Sequence, residues 1–131
     1  MVIDSVPAFR RATPRMLAAG FERLLTFVED QPGRQLIAER DGQRVGFLLV
    51  IDSMPDEITL LPQAFVAFMA VEPSARRLGI ARELLASAEE YARERGSPYM
   101  ALMVTEENDA ARNLYQAAGY FTERRLLCKI L

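Results

Sequence analysis

The chain has 131 residues, half of them apolar and about a quarter charged, with a formal net charge of -2. That balance suits one soluble domain with a real core and gives no whole-chain attraction for nucleic acid or an anionic membrane. With no histidine and a single cysteine, Cys128, the chain cannot build Ser-His or Cys-His nucleophilic catalysis, an internal disulfide or a cysteine-rich zinc site.

No apolar run approaches the roughly 18 residues that would span a bilayer. Residues 1–4 do not begin a charged-then-apolar signal segment, so the cytoplasm is the expected location. Fifteen arginines against one lysine show a compositional bias, which weakens any argument from paired arginines alone. Cys128 falls in the apolar C-terminal run and reads as a small buried hydrophobe.

Residues 2–13 are hard to read: Pro7-Ala8-Phe9-Arg10-Arg11 suits either a short edge strand or a ragged helical turn. Thr13-Pro14 is clearer, an N-cap followed by proline at the first helical position. Met16, Leu17, Phe21, Leu24, Leu25 and Val28 then recur at helical spacing, predicting one amphipathic helix to about Glu29. Asp30-Gln31-Pro32-Gly33 stops it.

Residues 36–39 and 45–51 read as strands joined through Asp41-Gly42, a strong hairpin signal. Residues 52–62, acidic and with two prolines, read as a loop. Residues 65–71 form a mostly apolar strand suited to the sheet centre. After a short turn, Ile80, Leu84, Leu85, Ala88, Tyr91 and Ala92 make one helical stripe, and Gly96 is the expected C-terminal cap. A further strand is expected at 99–104. Asn108-Asp109 then cap a helix with an inner stripe of Ala111, Leu114, Tyr115 and Ala118, closed by Gly119. A last strand is expected at 123–131. The order implies an α+β or mixed α/β fold in one domain spanning residues 1–131, with no repeat or linker.

The chemistry concentrates between Phe65 and Leu85. A strand feeds a turn with Arg76, Arg77 and Gly79, and a helix begins at once. Unpaired amides at a helix start, helped by the helix dipole, can hold a pyrophosphate, and a glycine lets the backbone come close. A nucleoside triphosphate loop is excluded because Gly-x-x-x-x-Gly-Lys-Ser/Thr is absent, and a dinucleotide fingerprint because Gly79 stands alone. A plain charged helix start is the competing reading.

Arg76-Arg77-Leu78-Gly79-Ile80-Ala81 resembles the Gln/Arg-x-x-Gly-x-Gly/Ala signature of the GNAT family of N-acetyltransferases. Downstream, Asn108-x-x-Ala111-x-x-Leu114-Tyr115-x-x-x-Gly119-Tyr120 resembles the family's other acetyl-CoA motif. The two lie in the right order, and together they cover roughly residues 65–121.

The resemblance implies a central mixed, mostly antiparallel sheet flanked by helices, with a β-bulge splaying the family's fourth strand from its fifth. Acetyl-CoA would enter that gap as co-substrate, with no metal. Backbone groups of Met69, Ala70 and Val71 would meet the pantetheine arm, an addition to a strand edge. The turn residues Arg76, Arg77, Leu78, Gly79, Ile80, Ala81 and Arg82 would surround the phosphates. Asn108 and Ala111 would line the cofactor, and Tyr115 would protonate the departing thiolate. The reaction implied is direct transfer to a primary amine; a non-catalytic acyl-CoA-binding domain of the same fold is the alternative.

Two departures stand out. The strand position where some family members carry a glutamate base holds Phe65, Val66, Ala67 and Phe68. Glu22, Asp52, Glu57, Glu72, Glu106 and Glu107 are the other candidates for a base, and Asp52, Asp56 and Glu57 for attracting a cationic acceptor. Only one clear helix precedes the hairpin, where the family has a strand and two helices, so an open acceptor groove or a homodimer is expected.

Overall fold

Thr13 starts the first helix by the mechanism its sequence implies: its Oγ1 accepts from the Met16 amide at 3.2 Å, with Pro14 in the first turn. The helix, α1, runs Pro14–Glu29. A computed structural model describes residues 6–131, and the signal-segment expectation from residues 1–4 falls outside them. Just before α1, Ala8–Arg10 forms one 3-10 turn, so the ragged turn is the right reading of that stretch.

The hairpin is longer than expected, with β1 at Gly33–Arg40 and β2 at Gln43–Ile51. Asp41 and Gly42 both take left-handed backbone angles (φ 52° and 77°), which matches the twist of the strands they join. β3 is Ala64–Val71 and β4 is Met100–Leu102, shorter than the expected strand. The sheet order is β1-β2-β3-β4, with two antiparallel pairs and a parallel β3/β4 pair. α2, Ile80–Glu94, makes the crossover between β3 and β4. α3, Asp109–Ala117, follows β4. This mixed, open sheet flanked by helices is the architecture that the resemblance implied.

Alternation along β2 sends Leu48 and Val50 to one face, where they are fully buried beneath Ile80, Leu84, Leu85 and Ala88 of α2. Burying each such leucine contributes roughly 1.5–3 kcal/mol. Gly46 keeps this layer thin, since a Cβ there would sit 3.1 Å from the Ala70 carbonyl and 3.2 Å from Leu84 Cδ1. On the other face Phe47 and Phe68 stack at 5.5 Å, and Phe21 of α1 tilts onto Phe68 at 4.8 Å. The α1 stripe is only half-buried, and Met16, expected inside, is 56% exposed.

Two expectations fail in the C-terminal segment. Residues 123–131 form no strand, and Cys128 is exposed. Strand propensity needs a paired neighbour to become a strand. This segment is held by side chains instead: Arg124 to Asp56 at 2.7 Å, Arg125 to Glu106 at 3.6 Å, and Arg10 to Cys128 Sγ at 3.6 Å.

Candidate active site

The site begins with one extra residue in β3. Leu49 pairs with Phe68 and Val50 with Val66, so Ala67 has no counterpart on β2 and makes a β-bulge. On the other side, β3 pairs with β4 only from Ala64↔Met100 to Val66↔Leu102. Pairing with β4 thus stops where the bulge begins. Beyond it lies about 13 Å of strand edge with no partner strand on that side among the described residues, at roughly 3.3 Å per residue.

Backbone alternation determines which groups line that edge. The Glu72 amide donates to the Val45 carbonyl on the β2 side at 2.7 Å. Counting back, Ala70 also faces β2, where it pairs with Phe47, while Met69 and Val71 direct their amides and carbonyls to the free edge. Of the three strand residues expected at the cofactor, Ala70 therefore offers no backbone group there.

The edge leads into the arginine turn. Residues 73–75 form a 3-10 turn, Arg77 is left-handed at φ 65°, and Gly79 is left-handed at φ 81° as the N-cap of α2. The first bond of α2 runs from the Glu83 amide to the Gly79 carbonyl at 3.0 Å, which leaves the amides of Ile80, Ala81 and Arg82 without helical partners. No side chain caps this end. Residues Arg76, Arg77, Leu78 and Gly79 are exposed, as is Arg82, whereas the Ile80 side chain is buried in the core. Left-handed residues close to a helix start turn successive amides toward one point, the geometry of an anion-binding nest.

The third part comes from α3. Asn108 Oδ1 accepts from the Ala111 amide at 3.2 Å, so Asn108 is the N-cap. It also lines a cleft of about 570 Å³ between the start of α3 and the segment from Val6 to Ala12. Ala111 and Tyr115 are half-buried, and Tyr115 packs against the core beneath α2. Among the described residues the Tyr115 hydroxyl has no hydrogen-bond partner, and no buried side-chain polar atom is left unpaired, so this hydroxyl opens to solvent. Burial of the ring raises its pKa, keeping it a protonated donor at neutral pH.

The unpaired strand edge and the amide-rich turn lie where the resemblance expects acyl-CoA. The acetyltransferase (GNAT) family profile matches residues 6–120, nearly the whole chain. The chain belongs to the GNAT acetyltransferase family.

Three relatives place the chain within that family. It is 36% identical over 89 residues to a mycothiol acetyltransferase of Thermomonospora curvata, a match covering 68% of this chain and 28% of that protein. It is 30% identical over 116 residues to the uncharacterized N-acetyltransferase YhfO of Bacillus subtilis, covering 86% of this chain and 73% of the relative. The peptidyl-lysine N-acetyltransferase YiaC of Escherichia coli is 33% identical over 82 residues, 63% of this chain and 46% of YiaC. The chain therefore spans less than half of two of these relatives, 28% and 46% of their lengths.

Solved structures repeat the fold. An acetyl transferase from Pyrococcus furiosus superposes with a TM-score of 0.78 at 24% identity, covering 92% of this chain and 80% of that one, a likeness of fold alone. The aminoglycoside N-acetyltransferase AAC(6')-Iy, solved with CoA, gives 0.69 at 25% identity, covering 89% of this chain and 87% of that one.

Within this GNAT family member the six carboxylates considered for a base are dispersed or engaged. Asp52 accepts from the Tyr91 hydroxyl and from Arg95 Nε at 3.1 Å, at the far end of α2 from the turn. Glu106 pairs with Arg112 at 4.0 Å and Arg125 at 3.6 Å, and Glu107 accepts from the Ala8 amide at 3.2 Å. Glu22, Glu57 and Glu72 are exposed. Asp56, considered as an attractor for cations, is 7% exposed and bound to Arg124.

Two features escaped the sequence reading. One is the Phe21, Phe47 and Phe68 cluster on the face opposite α2. Its signal was available, because Phe47 and Phe68 alternate with core residues and Phe21 lies on the α1 stripe. The other is the bond from the Tyr120 hydroxyl to Glu89 at 2.9 Å, which no spacing rule predicts. Among the described residues no group of three or more His, Cys, Asp or Glu could hold a metal ion, and no helix is long and apolar enough to cross a membrane.

Proposed function

We propose that this chain transfers an acetyl group from acetyl-CoA to a primary amine by direct attack. The observation that carries the reading is the unpartnered β3 edge from Ala67 to Val71, which runs straight into the amide-rich turn at Arg77 to Arg82. Met69 and Val71 would pair with the pantetheine amides, and the amides of Arg77 to Arg82 would hold the pyrophosphate. Arg76, Arg77 and Arg82 would add charge around the phosphates, and Asn108 and Ala111 would border the acyl end.

In the transfer step the amine nitrogen bonds to the acetyl carbon and the carbon–sulfur bond breaks. The thiolate takes the Tyr115 proton, the amine loses a proton to solvent, and the Tyr115 phenolate regains one from solvent. A strand amide between Met69 and Val71 would stabilise the transient oxyanion. General-acid help of this kind is typically worth ~10²–10⁴ in rate.

The test is thiol release from acetyl-CoA with an aminoglycoside, a lysine-containing peptide and a peptide with a free N-terminus. We expect turnover with at least one amine and a loss of ~10²–10⁴ in kcat for Tyr115→Phe with CoA binding retained. CoA binding without thiol release across these amines would favour the second reading, a non-catalytic acyl-CoA-binding domain. The engagement of Asp52 and Glu106 elsewhere is the observation on its side.

Two copies would associate in the cytoplasm. The support is the run of Phe121, Leu126, Leu127 and Ile130, each at least 73% exposed, more apolar surface than a short monomer segment usually leaves in water. Light scattering at micromolar protein should give twice the 14.8 kDa chain mass, and a monomeric mass would refute it.

A further inference from the structure

Tyr115 is held from behind. Tyr120 lies edge-on to it, ring centroids 6.0 Å apart and planes at 64°, and the Tyr120 amide donates to the Tyr115 carbonyl at 2.9 Å. The Tyr120 hydroxyl in turn donates to Glu89 Oε2 at 2.9 Å, which ties the end of α3 to the middle of α2. Arg93 lies 4.0 Å from Glu89, one turn along the same helix. Glu89 is thus a half-buried acceptor fixed on the most deeply packed helix of the fold.

We infer that Tyr120 and Glu89 are positioning residues for Tyr115: the Glu89–Tyr120 hydrogen bond fixes the Tyr120 ring, and that ring fixes the direction of the Tyr115 hydroxyl. This rests on the reading of Tyr115 as general acid given above. The structural logic is that α3 is short, contributes no fully buried residue, and has only a half-buried face against the core. A tyrosine on such a helix would otherwise rotate about its side-chain bonds. Proton transfer needs the hydroxyl within hydrogen-bond reach of the leaving sulfur, so a loose ring lowers the populated fraction of productive geometry. Edge-to-face packing restricts that rotation, and a partner ring that is itself anchored restricts it further.

The arrangement also accounts for a polar contact that the fold does not otherwise need. The Tyr120 ring packs against the core with or without its hydroxyl, and the α3 C-terminus is already closed by backbone bonds and by Gly119 at φ 97°. A phenylalanine at 120 would fill the same space. The hydroxyl and Glu89 add only a fixed orientation.

The test is a mutant cycle on thiol release, using the fastest amine among the aminoglycoside, lysine peptide and N-terminal peptide. Tyr120→Phe and Glu89→Ala should each lower kcat about fivefold, the size of one lost hydrogen bond, with KM for acetyl-CoA unchanged. Glu89→Gln keeps an acceptor oxygen and should stay close to wild type. Tyr115→Phe/Tyr120→Phe should be no slower than Tyr115→Phe, because Tyr120 acts only through Tyr115.

Losses that multiply in the double variant, or that appear in KM alone, would overturn the inference while leaving Tyr115 as the acid. Full turnover by Tyr115→Phe would overturn both. A readout independent of any acceptor is the ultraviolet titration of Tyr115, isolated by subtracting Tyr115→Phe. In Tyr120→Phe it should ionise closer to the ordinary tyrosine pH as water reaches a loosened ring; an unmoved titration counts against the latch.

Discussion

Arg124 reaches back across 68 positions to close a 2.7 Å ion pair with Asp56 in the loop between β2 and β3. The same carboxylate accepts from the Thr59 amide at 2.7 Å, the Thr59 hydroxyl at 2.8 Å and the Ile58 amide at 3.1 Å. Asp56 is therefore the point at which the C-terminal segment is fastened to the sheet loops. An acceptor amine would find it already saturated.

A pH dependence follows. The Thr59 amide, the Thr59 hydroxyl and Arg124, in that order, hold the Asp56 carboxyl well below the usual carboxylate range. A depressed folded value gives stability that is fully present above the unfolded pKa of about 3.9 and disappears as pH falls below it. Asp56→Asn should melt lower than wild type at pH 7, and the gap should narrow only below about pH 4. Thermal melts from pH 7 to 2 decide it; a gap that stays constant would mean the charge is irrelevant.

The pH–rate profile offers a separate check on Tyr115. Burial raises its pKa, so the protonated form that the proposed acid role needs persists past the ordinary tyrosine value of about 10. The alkaline limb of kcat assigned to this group should lie above pH 10, and it should be missing in Tyr115→Phe. A fall in kcat centred near neutrality would assign the limb to some other group.

Gly79 sits at φ 81° with open space around its missing Cβ, so its requirement is conformational and not steric. A left-handed alanine costs about 1–2 kcal/mol. Gly79→Ala should either pay that in stability or rotate the turn and scatter its amides. We expect CoA affinity, measured by calorimetry, to fall roughly tenfold, as a loss of about 1.4 kcal/mol implies. Unchanged affinity and melting temperature would show that the turn does not depend on this angle.

Two other glycines should respond in opposite directions to the same change. A Cβ on Gly33 would overlap the Val50 carbonyl oxygen, backbone that cannot give way, whereas Gly20 in α1 has nothing within 4 Å. Gly33→Ala should destabilise by about 1–3 kcal/mol, as overpacking does. Gly20→Ala should stabilise by roughly 0.5–1 kcal/mol through helix propensity. Urea melts of both variants test the contrast, which fails if both shift in the same direction.

Elements whose signals are local were legible in the sequence. Thr13-Pro14, Asp41-Gly42, the Ile80 to Ala92 stripe and the Asn108 cap each depend on residues within one turn of each other, and each formed as expected. What depends on a distant partner was not legible. Residues 123–131 have the composition of a strand but pair with none of the four described strands. Cys128 was assigned to an interior that the segment never enters. In the site, the turn and the Asn108 helix were carried by motif resemblance. The Glu89–Tyr120 contact and the three-phenylalanine cluster depend on which helix lies over which face, information that a single chain of letters does not carry locally.

Ala67 shows how little material such a slot requires. Without the inserted residue, β3 would keep step with β2, and its four remaining positions, Phe68 to Val71, could continue a ladder alongside the chain that follows β4. With it, the sheet leaves a row of donors and acceptors unspent on itself. The room for the proposed guest is written into this chain as a phase error of one residue, and removing that residue should seal the groove without altering any side chain proposed to border the phosphates.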